Sequence, residues 1–283
     1  MPTSEAVRRA DIVYATDERY VVPLTVSIRS LQHHTADPGV VTLVLCDGVS
    51  ARSKARILAS LARPEEVRLV DIDGDDLPDR VVRGVSTVIN RTALARLQIP
   101  ADLVNQLRFV YLDADTVVRT DIRRLLETDL NHHLLGAVYD HYYTLFEART
   151  RRLARAGTKP GRRFNSGVML INSDQWFQRR CGERAMAIAV AEEVMDQGAL
   201  NVVCADSWLE LDPGWNVTTQ QLGRRREFGT NPEQVLIRHL TAIKPWQDRH
   251  TTVDDAKWLL EDFHRHLAQT VWPTSTADPP ARF

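Results

Sequence analysis

Short apolar runs alternate with amphipathic segments through the first half of the chain. Ile12–Ala15 and Val41–Cys46 are apolar runs of the kind found in strands that are buried on both faces. Between them, Pro23–His34 carries apolar side chains at helical spacing along one face. This strand–helix–strand order predicts an α/β layered fold with a largely parallel sheet.

The same alternation continues through the middle of the chain, and helical patterns dominate after Asn172. Ser50 precedes a basic amphipathic segment that ends at Pro64, which predicts a capped helix. The further predicted strands are Val67–Ile72, Arg108–Leu112, Leu134–Val138 and Val168–Ile171. The further predicted helices are Arg91–Ile99, Glu183–Met195 and Ala199–Cys204. A last helix is predicted after the cap residue Asp254, with Leu259, Phe263 and Leu267 on one face. We expect one domain over residues 1–250, followed by a helix and a Pro-rich tail over residues 251–283.

The composition narrows the class of protein. The chain has 36 Lys and Arg against 37 Asp and Glu, a net charge of −1, so no global field steers it to nucleic acid or to an anionic membrane. Its longest apolar run, Ala185–Ala191, is far shorter than the ~20 residues of a spanning helix, so no transmembrane segment is expected. Three scattered cysteines give neither a disulfide framework nor metal-binding spacing. These features predict a cytoplasmic protein that is large enough to be an enzyme.

The sharpest chemical signal is Asp113-Ala114-Asp115, which follows the predicted strand Arg108–Leu112. Side chains alternate along extended backbone, so both carboxylates would point to one side. The carboxyl edge of a parallel sheet is where open α/β sheets bind ligands, and a cation there would neutralise the pair. On the triplet alone, a solvated strand end with two unrelated acids is equally consistent. The triplet also fits the motif of haloacid dehalogenase-type phosphatases, in which Asp113 would be the nucleophile and Asp115 the acid/base.

The context of the triplet favours another interpretation. Three strand–helix units precede it, and no later acidic pair completes a phosphatase metal site. Five segments in order instead resemble glycosyltransferase family 8, the retaining group that includes glycogenin and bacterial lipooligosaccharide galactosyltransferases. These segments are Asp11-Ile12-Val13-Tyr14-Ala15-Thr16-Asp17, then Ala95-Arg96-Leu97 before the acidic triplet, Phe164–Asn172, Asp196–Asn201, and His239 with Lys244-Pro245-Trp246. The resemblance covers residues 11–246.

This resemblance implies a fold and an activity. The fold would be a single GT-A-type nucleotide-sugar-binding domain, with a Rossmann-like, mixed and mostly parallel sheet flanked by helices, and a C-terminal helical appendage. The enzyme would be a metal-dependent retaining hexosyltransferase that moves a hexose from a nucleotide-diphosphate sugar, of the UDP-glucose or UDP-galactose type, to a hydroxyl acceptor. Asp113, Asp115 and His239 would hold Mn²⁺, with Mg²⁺ as the alternative ion. The acceptor would be a saccharide or a small molecule.

The resemblance also assigns residues to the nucleotide and the diphosphate. Ala15, Asp17 and Tyr20 would surround the uracil, with the Tyr20 ring stacked on the base and Asp17 accepting from its N–H. Tyr20 is equally consistent with a half-buried interface tyrosine. Arg96 would reach the diphosphate or the sugar, and Lys244 would place a positive charge at the departing phosphate.

Further residues are assigned to the donor sugar. Asp140, Asn165 and Ser166 would line it, Asp196 would bind its hydroxyls, and Gln197 would lie beneath the anomeric carbon. Asp196 and Gln197 are therefore the candidate catalytic residues. Because an amide is a poor nucleophile, the resemblance favours front-face attack, in which the leaving phosphate takes the acceptor proton. The complete expected donor-binding set is Ala15, Thr16, Asp17, Tyr20, Arg96, Asp113, Ala114, Asp115, Asp140, Asn165, Ser166, Asp196, Gln197, His239 and Lys244.

A basic stretch, Arg149–Arg163, enters directly into the Phe164–Asn172 segment. It contains seven Lys or Arg, no acid, and three Gly or Pro residues, which predicts a loop that closes over the site. Its charge indicates contact with an anion, either the donor diphosphate or an acceptor carrying phosphate or carboxylate; a solvated charged loop is the alternative. Nucleic acid is disfavoured, since no aromatic residues interleave the run. A nucleotide-sugar binder without turnover is a third interpretation of the whole chain.

Overall fold

The computed structural model describes residues 8–72, 83–84, 87–88, 91–141, 162–192, 194–223, 231–241, 244–246 and 257–272. The strands are β1 (Ile12–Asp17), β2 (Thr42–Asp47), β3 (Val67–Asp71), β4 (Arg83–Gly84), β5 (Thr87–Val88), β6 (Arg108–Leu112), β7 (Thr116–Val118), β8 (Leu135–Tyr139), β9 (Phe164–Asn172), β10 (Trp208–Glu210), β11 (Val217–Thr218) and β12 (Ile237–His239). The helices are α1 (Val21–His34), α2 (Ala51–Ala59), α3 (Arg91–Ala95), α4 (Arg123–Leu126), α5 (Ser173–Gln178), α6 (Cys181–Ala191), α7 (Asp196–Val203), α8 (Thr219–Gly223) and α9 (Lys257–Leu267).

Seven strands form the main sheet, in the order β10-β8-β9-β6-β1-β2-β3. The pairs β1–β2, β1–β6, β2–β3 and β8–β10 are parallel, whereas β9 runs antiparallel to both β6 and β8. The predicted mixed, mostly parallel sheet is therefore confirmed. Because β9 is antiparallel, its first residues lie beside the last residues of β6 and β8. The Phe164-Asn165-Ser166 segment thus meets the carboxyl edge of the sheet.

A second, three-stranded sheet lies next to this edge and has the order β11-β12-β7. β12 is antiparallel to β7, with His239 opposite Thr116, and parallel to β11, with Thr218 opposite His239. The register brings His239 beside the residue that follows Asp115. Pairing between distant segments therefore decides where the histidine lies.

Two hydrophobic clusters cover the two faces of the main sheet. Successive β1 residues alternate between them, as the pleat of a strand requires. Helices α5, α6 and α7 contribute to one cluster, and α1, α2 and α9 contribute to the other. The predicted helices around a central sheet are thus confirmed.

Some predicted boundaries were wrong. The helix predicted over Glu183–Met195 ends at Ala191, and α7 begins at Asp196 rather than Ala199. An acidic first residue suits a helix N-terminus, where the backbone N–H groups are unpaired and carry partial positive charge. The helix predicted over Arg91–Ile99 changes into a 3₁₀ turn at Arg96–Gln98.

The C-terminal helix α9 packs against α1 and supports the small sheet. Phe263 and Leu267 are buried, as predicted, whereas the predicted cap Asp254 and the side chain of Leu259 lie outside the described residues. The Asp262 carboxylate pairs with the Arg119 guanidinium at 3.0 Å and with the fully buried Arg238 guanidinium of β12 at 3.2 Å. The domain division at residue 250 stays a prediction. In the described part of the chain, no helix combines the length and apolarity needed to cross a membrane.

A close contact joins α6 to the 3₁₀ turn that carries Arg96. A Cβ atom on Gly182 would lie 2.0 Å from the Leu97 carbonyl oxygen and 3.0 Å from its carbon. Both atoms belong to backbone, so neither can rotate away. The absence of a side chain at Gly182 therefore sets the distance between the helix and the turn.

We expect Gly182→Ala to lower the free energy of unfolding by about 2 kcal/mol, the cost of forcing extra volume into a packed contact. Alanine normally stabilises a helix relative to glycine, so the sign of the change separates this contact from helix propensity. Urea unfolding of the variant measures it. Arg184→Ala, at an exposed position of the same helix, is the matched control and should have little effect. A Gly182→Ala protein as stable as the original would show that this contact is not tight.

Candidate active site and metal centre

The acidic triplet forms a tight turn between β6 and β7 at the carboxyl edge of the main sheet. The backbone N–H of Asp113 donates to the Gly167 carbonyl at 2.8 Å, and the Thr116 hydroxyl donates to the Asp113 carbonyl at 2.9 Å. Asp115 and Ala114 are buried, and Asp113 is partly exposed. The two carboxylates converge as predicted, but the cause differs from the prediction. A turn brings them together, rather than alternation along an extended strand.

His239 completes a three-residue cluster with Asp113 and Asp115. Its Nε2 atom lies 3.5 Å from Asp113 Oδ2 and 3.3 Å from Asp115 Oδ1. One ligand atom from each of the three residues lies within 4.8 Å of the other two, which fits a single divalent cation, and the residues the structure describes contain no second such group. Two carboxylates and one imidazole suit Mn²⁺ better than Ca²⁺, because Ca²⁺ prefers a shell made only of oxygen ligands.

Gly167 of β9 leaves the space that His239 occupies. A Cβ atom at this position would lie 2.2 Å from His239 Cε1, 2.6 Å from Nδ1 and 2.9 Å from Asp113 Oδ2. The imidazole therefore packs directly on the bare backbone of the strand. This is a physical reason for glycine after Asn165-Ser166.

Arg96 is buried and neutralises two carboxylates. Its guanidinium lies 2.7 Å from Asp113 Oδ1 and 2.9 Å from Asp196 Oδ2, and it donates to the Ser166 carbonyl at 3.0 Å. It also lies over the Tyr111 ring, 4.7 Å from its centre. Burial alone would lower the pKa of Arg96, but attraction to Asp113 and Asp196 raises it above its ordinary value. Burial raises the pKa of Asp196, although Arg96 works against this shift.

Lys244 supplies a second cation, on the other side of the cluster. Its ammonium donates to Asp115 Oδ2 and lies 5.6 Å from the centre of the Tyr20 ring and 5.3 Å from that of Trp246. Burial opposes a charge on Asp115, but the ammonium of Lys244 beside it attracts the carboxylate and lowers the pKa of this carboxyl. Asp115 is therefore ionised and prepared to ligate a cation. The Ala242 and Ile243 residues between His239 and Lys244 lie outside the described residues.

Gln197 joins three segments through both ends of its amide. Its Nε2 donates to Asp140 Oδ2 at 2.9 Å, and its Oε1 accepts from the Ser166 backbone N–H at 3.1 Å. Asn201, one turn later on α7, accepts from the Phe164 N–H at 2.9 Å. These bonds fix the orientation of the Gln197 amide, and they hold α7 against the start of β9 and the end of β8.

The predicted nucleotide end lies at the end of β1. Asp17 accepts from the backbone N–H groups of Arg19 at 3.0 Å and Tyr20 at 3.1 Å, and it pairs with the Arg19 guanidinium at 2.7 Å. It thus caps the turn that follows the strand. Thr16 and Ala15 are buried in β1. The roles predicted for Ala15, Thr16, Asp17 and Tyr20 at the base stay predictions.

The structure brings most predicted positions into one connected group. The residues joined by the contacts above are Tyr20, Arg96, Asp113, Asp115, Asp140, Ser166, Asp196, Gln197, His239 and Lys244. Asn165 enters through hydrogen bonds from the Gly167 N–H and the Asn216 amide, both 2.9 Å. Most of the basic stretch Arg149–Arg163 lies outside the described residues; of its end, Arg162 packs over the Trp208 ring.

Sequence reasoning missed two residues of this group. The Tyr111 hydroxyl donates to Asp113 Oδ1 at 3.1 Å, and alternation along β6 could have indicated it, since the two residues are two positions apart. Asn216 Oδ1 lies 3.0 Å from His239 Nδ1. No local pattern marks Asn216, because β11 and β12 meet only in the folded chain.

The chain is similar in sequence to several known proteins. General stress protein A from Bacillus subtilis is 27% identical, over 77% of this chain and 88% of that protein. The lipopolysaccharide glucosyltransferase WaaO from Escherichia coli is 26% identical, over 84% of this chain and 73% of that protein. Two other relatives, the glycosyltransferases GlyF and GlyD from Streptococcus pneumoniae, are longer, and the chain spans 57% and 28% of their lengths.

A solved structure indicates the fold of the chain, and a family model indicates its family. The galactosyltransferase LgtC, crystallised with donor and acceptor sugar analogs, has the same GT-A fold, with a TM-score of 0.75 at 24% identity, over 93% of this chain and 97% of that chain. The model of the family described as "Glycosyl transferase family 8" matches residues 11–250. With most of its length covered by that match, the chain belongs to glycosyltransferase family 8.

Proposed function

We propose that this protein is a metal-dependent retaining hexosyltransferase, which moves a hexose from a UDP-sugar to a hydroxyl acceptor. The observation that carries the proposal is the Asp113, Asp115 and His239 cluster, set between the cations Arg96 and Lys244. Carboxylates there can hold a divalent cation, and the flanking cations suit a diphosphate. The family membership supports sugar transfer as the use of this arrangement.

Asp113, Asp115 and His239 would hold the cation, with Mn²⁺ as the proposed ion and Mg²⁺ as the alternative. Once bound, a divalent cation would supply Lewis-acid chemistry and offset the charge that develops on the leaving phosphate. Lys244 would add positive charge at the same place, because its ammonium already lies on Asp115. Arg96 holds the carboxylates of Asp113 and Asp196 in place.

Gln197 and Asp196 would act on the donor sugar. Both amide ends of Gln197 are engaged, so its position is fixed before the donor arrives. An amide is a poor nucleophile, which favours front-face attack with retention over a covalent intermediate on Gln197. The proposed contribution of the protein is therefore mainly orientation and electrostatics.

The phosphatase alternative is not favoured. A nucleophilic Asp113 would need a carboxylate oxygen open to phosphorus, yet Oδ1 is held by Arg96 and Tyr111 and Oδ2 faces His239.

The proposed acceptor is a saccharide or another small hydroxyl compound, in keeping with the sugar analogs bound to LgtC. The cytoplasmic location stays a prediction.

The test of this function needs no acceptor. With Mn²⁺ and a panel of nucleotide sugars, we expect slow hydrolysis of one UDP-hexose, because water can replace an absent acceptor. Proton NMR of the first product should show the α-anomer from an α-linked donor. Release of the β-anomer would contradict retention, and cleavage of an aryl phosphate would support the phosphatase. Thermal stabilisation by a donor without any turnover would indicate a binder.

We expect Asp115→Asn to weaken Mn²⁺ binding by at least about 100-fold, since losing even an outer-shell partner of a metal costs roughly 10- to 100-fold. The amide keeps the size of the side chain but removes the charge that attracts the cation. Electron paramagnetic resonance of free Mn²⁺ measures the affinity. The control is Asp102→Asn, an exposed acid in the turn before Val104, and it should bind like the original protein. Equal affinity in the Asp115→Asn protein would exclude this cluster as the metal site.

We expect Gly167→Ala to lose Mn²⁺ binding as completely as His239→Ala does. The new methyl group would occupy the place of the imidazole, and β9 cannot retreat because it pairs with strands on both sides. Gly136→Ala is the matched control, another glycine in a strand. Its methyl group would meet leucine side chains at 3.0 Å, so the melting temperature should fall while Mn²⁺ binding persists. Normal Mn²⁺ affinity in Gly167→Ala would mean that His239 is not a ligand.

A further inference from the structure

Asn216 occupies a buried position between His239 and Asn165. The residue is 1% exposed. Its Oδ1 lies 3.0 Å from His239 Nδ1, and its Nδ2 donates to Asn165 Oδ1 at 2.9 Å. The backbone N–H of Gly167 also donates to Asn165 Oδ1, at 2.9 Å. The four groups therefore form one line of hydrogen bonds that ends at the imidazole.

The direction of each bond in this line follows from its first member. A backbone N–H can only donate, so the Asn165 atom beside Gly167 is the oxygen. That oxygen can only accept, so Asn216 presents its NH₂ group to it. The remaining Asn216 atom is its oxygen, which needs a donor. His239 must therefore carry a proton on Nδ1.

We propose that Asn216 is a positioning residue that holds the neutral imidazole of His239 as the Nδ1–H tautomer, whose unprotonated Nε2 faces Asp113 and Asp115. The proposal rests on the proposed function, because the tautomer matters only if His239 binds a metal. The tautomer itself is a property of the ring and can be measured without a metal. A neutral imidazole ligates a cation through an unprotonated nitrogen, and a hydrogen bond at the other nitrogen decides which one is free.

The carboxylates by themselves favour the opposite tautomer. Nε2 faces two negatively charged groups at 3.5 and 3.3 Å, and each would attract a proton to that nitrogen. A proton on Nε2 would point at the place of the cation and block ligation. The Asn216 amide opposes this effect, because it offers an acceptor only to Nδ1.

The fold holds Asn216 rigidly enough for this role. It ends the 3₁₀ turn Pro213–Asn216, where the Asp212 carboxylate accepts from the Gly214 N–H at 2.8 Å. The Gly214 carbonyl accepts from the Leu236 N–H at 2.8 Å, just before β12 begins. β11 then pairs in register with β12, so the turn and the histidine strand are fixed to each other.

The first test reads the tautomer without any metal. In protein labelled with ¹⁵N-histidine, at a pH where the ring is neutral, we expect the two-bond ¹⁵N–¹H spectrum to report Nδ1–H for His239. The signal is assigned by its loss in His239→Gln. Asn216→Ala should shift the ring to the Nε2–H form, and Asn216→Asp, which keeps an acceptor, should retain Nδ1–H. An Nε2–H ring in the original protein, or an unchanged Nδ1–H ring in Asn216→Ala, would overturn the proposal.

The second test reads the consequence for the metal. We expect Asn216→Ala to weaken Mn²⁺ binding by roughly 10- to 100-fold, and Asn216→Asp to weaken it less. Imidazole contributes more to Mn²⁺ than to Mg²⁺, so the preference for Mn²⁺ should fall as well. Equal losses for both ions would point to a general disturbance and contradict the role.

A matched control separates this role from loss of any buried amide. Asn201 is also buried, and it bonds to the Phe164 backbone instead of His239. Asn201→Ala should therefore lower the melting temperature while the His239 tautomer and the Mn²⁺ preference persist.

If His239 follows the expected tautomers but the original protein binds no Mn²⁺, the positioning role stands and the metal site of the proposed function fails. Mn²⁺ binding by a protein with an Nε2–H ring would instead support the metal site and overturn the positioning role.

Discussion

The candidate site depends on one electrostatic constraint: three carboxylates meet at the edge of the sheet with little water around them. Asp115 and Asp196 are buried, and the partly exposed Asp113 contacts both Arg96 and His239. Burying a carboxylate is costly unless an opposite charge or a hydrogen bond compensates. Arg96 meets this need, because its planar guanidinium can pair with Asp113 and Asp196 at once. A lysine has one point charge and could not reach both in the same way.

Close backbone contacts make this electrostatic arrangement possible. Gly182 lets α6 touch the turn that carries Arg96, and Gly167 lets His239 lie on β9. Both positions need the absence of a side chain rather than an unusual backbone conformation. The charged residues are thus held at short distances by packing, and the distances decide which charges compensate each other.

Much of the fold could be predicted from the sequence, but the contact of Asn216 with the proposed metal ligand His239 could not. The acidic triplet, the Phe164–Asn172 segment and the Asp196-Gln197 pair each carry a local pattern, so their chemistry could be proposed from the residues and the family resemblance. The contact between Tyr111 and Asp113 could have been predicted from the alternation of side chains along β6. Asn216 was not, since its role arises from hydrogen bonds to a strand and a turn that are distant along the chain.

The sequence by itself determined the order of strands and helices and the place of the acidic residues after β6, because both depend on local periodicity and side-chain type. The tertiary structure decided the antiparallel course of β9, the pairing of β12 with β7 and the contact between α6 and Arg96. These depend on which distant surfaces fit together, and no short window of sequence contains that information. The convergence of Asp115 with His239, and the line of hydrogen bonds through Asn216, follow from that pairing.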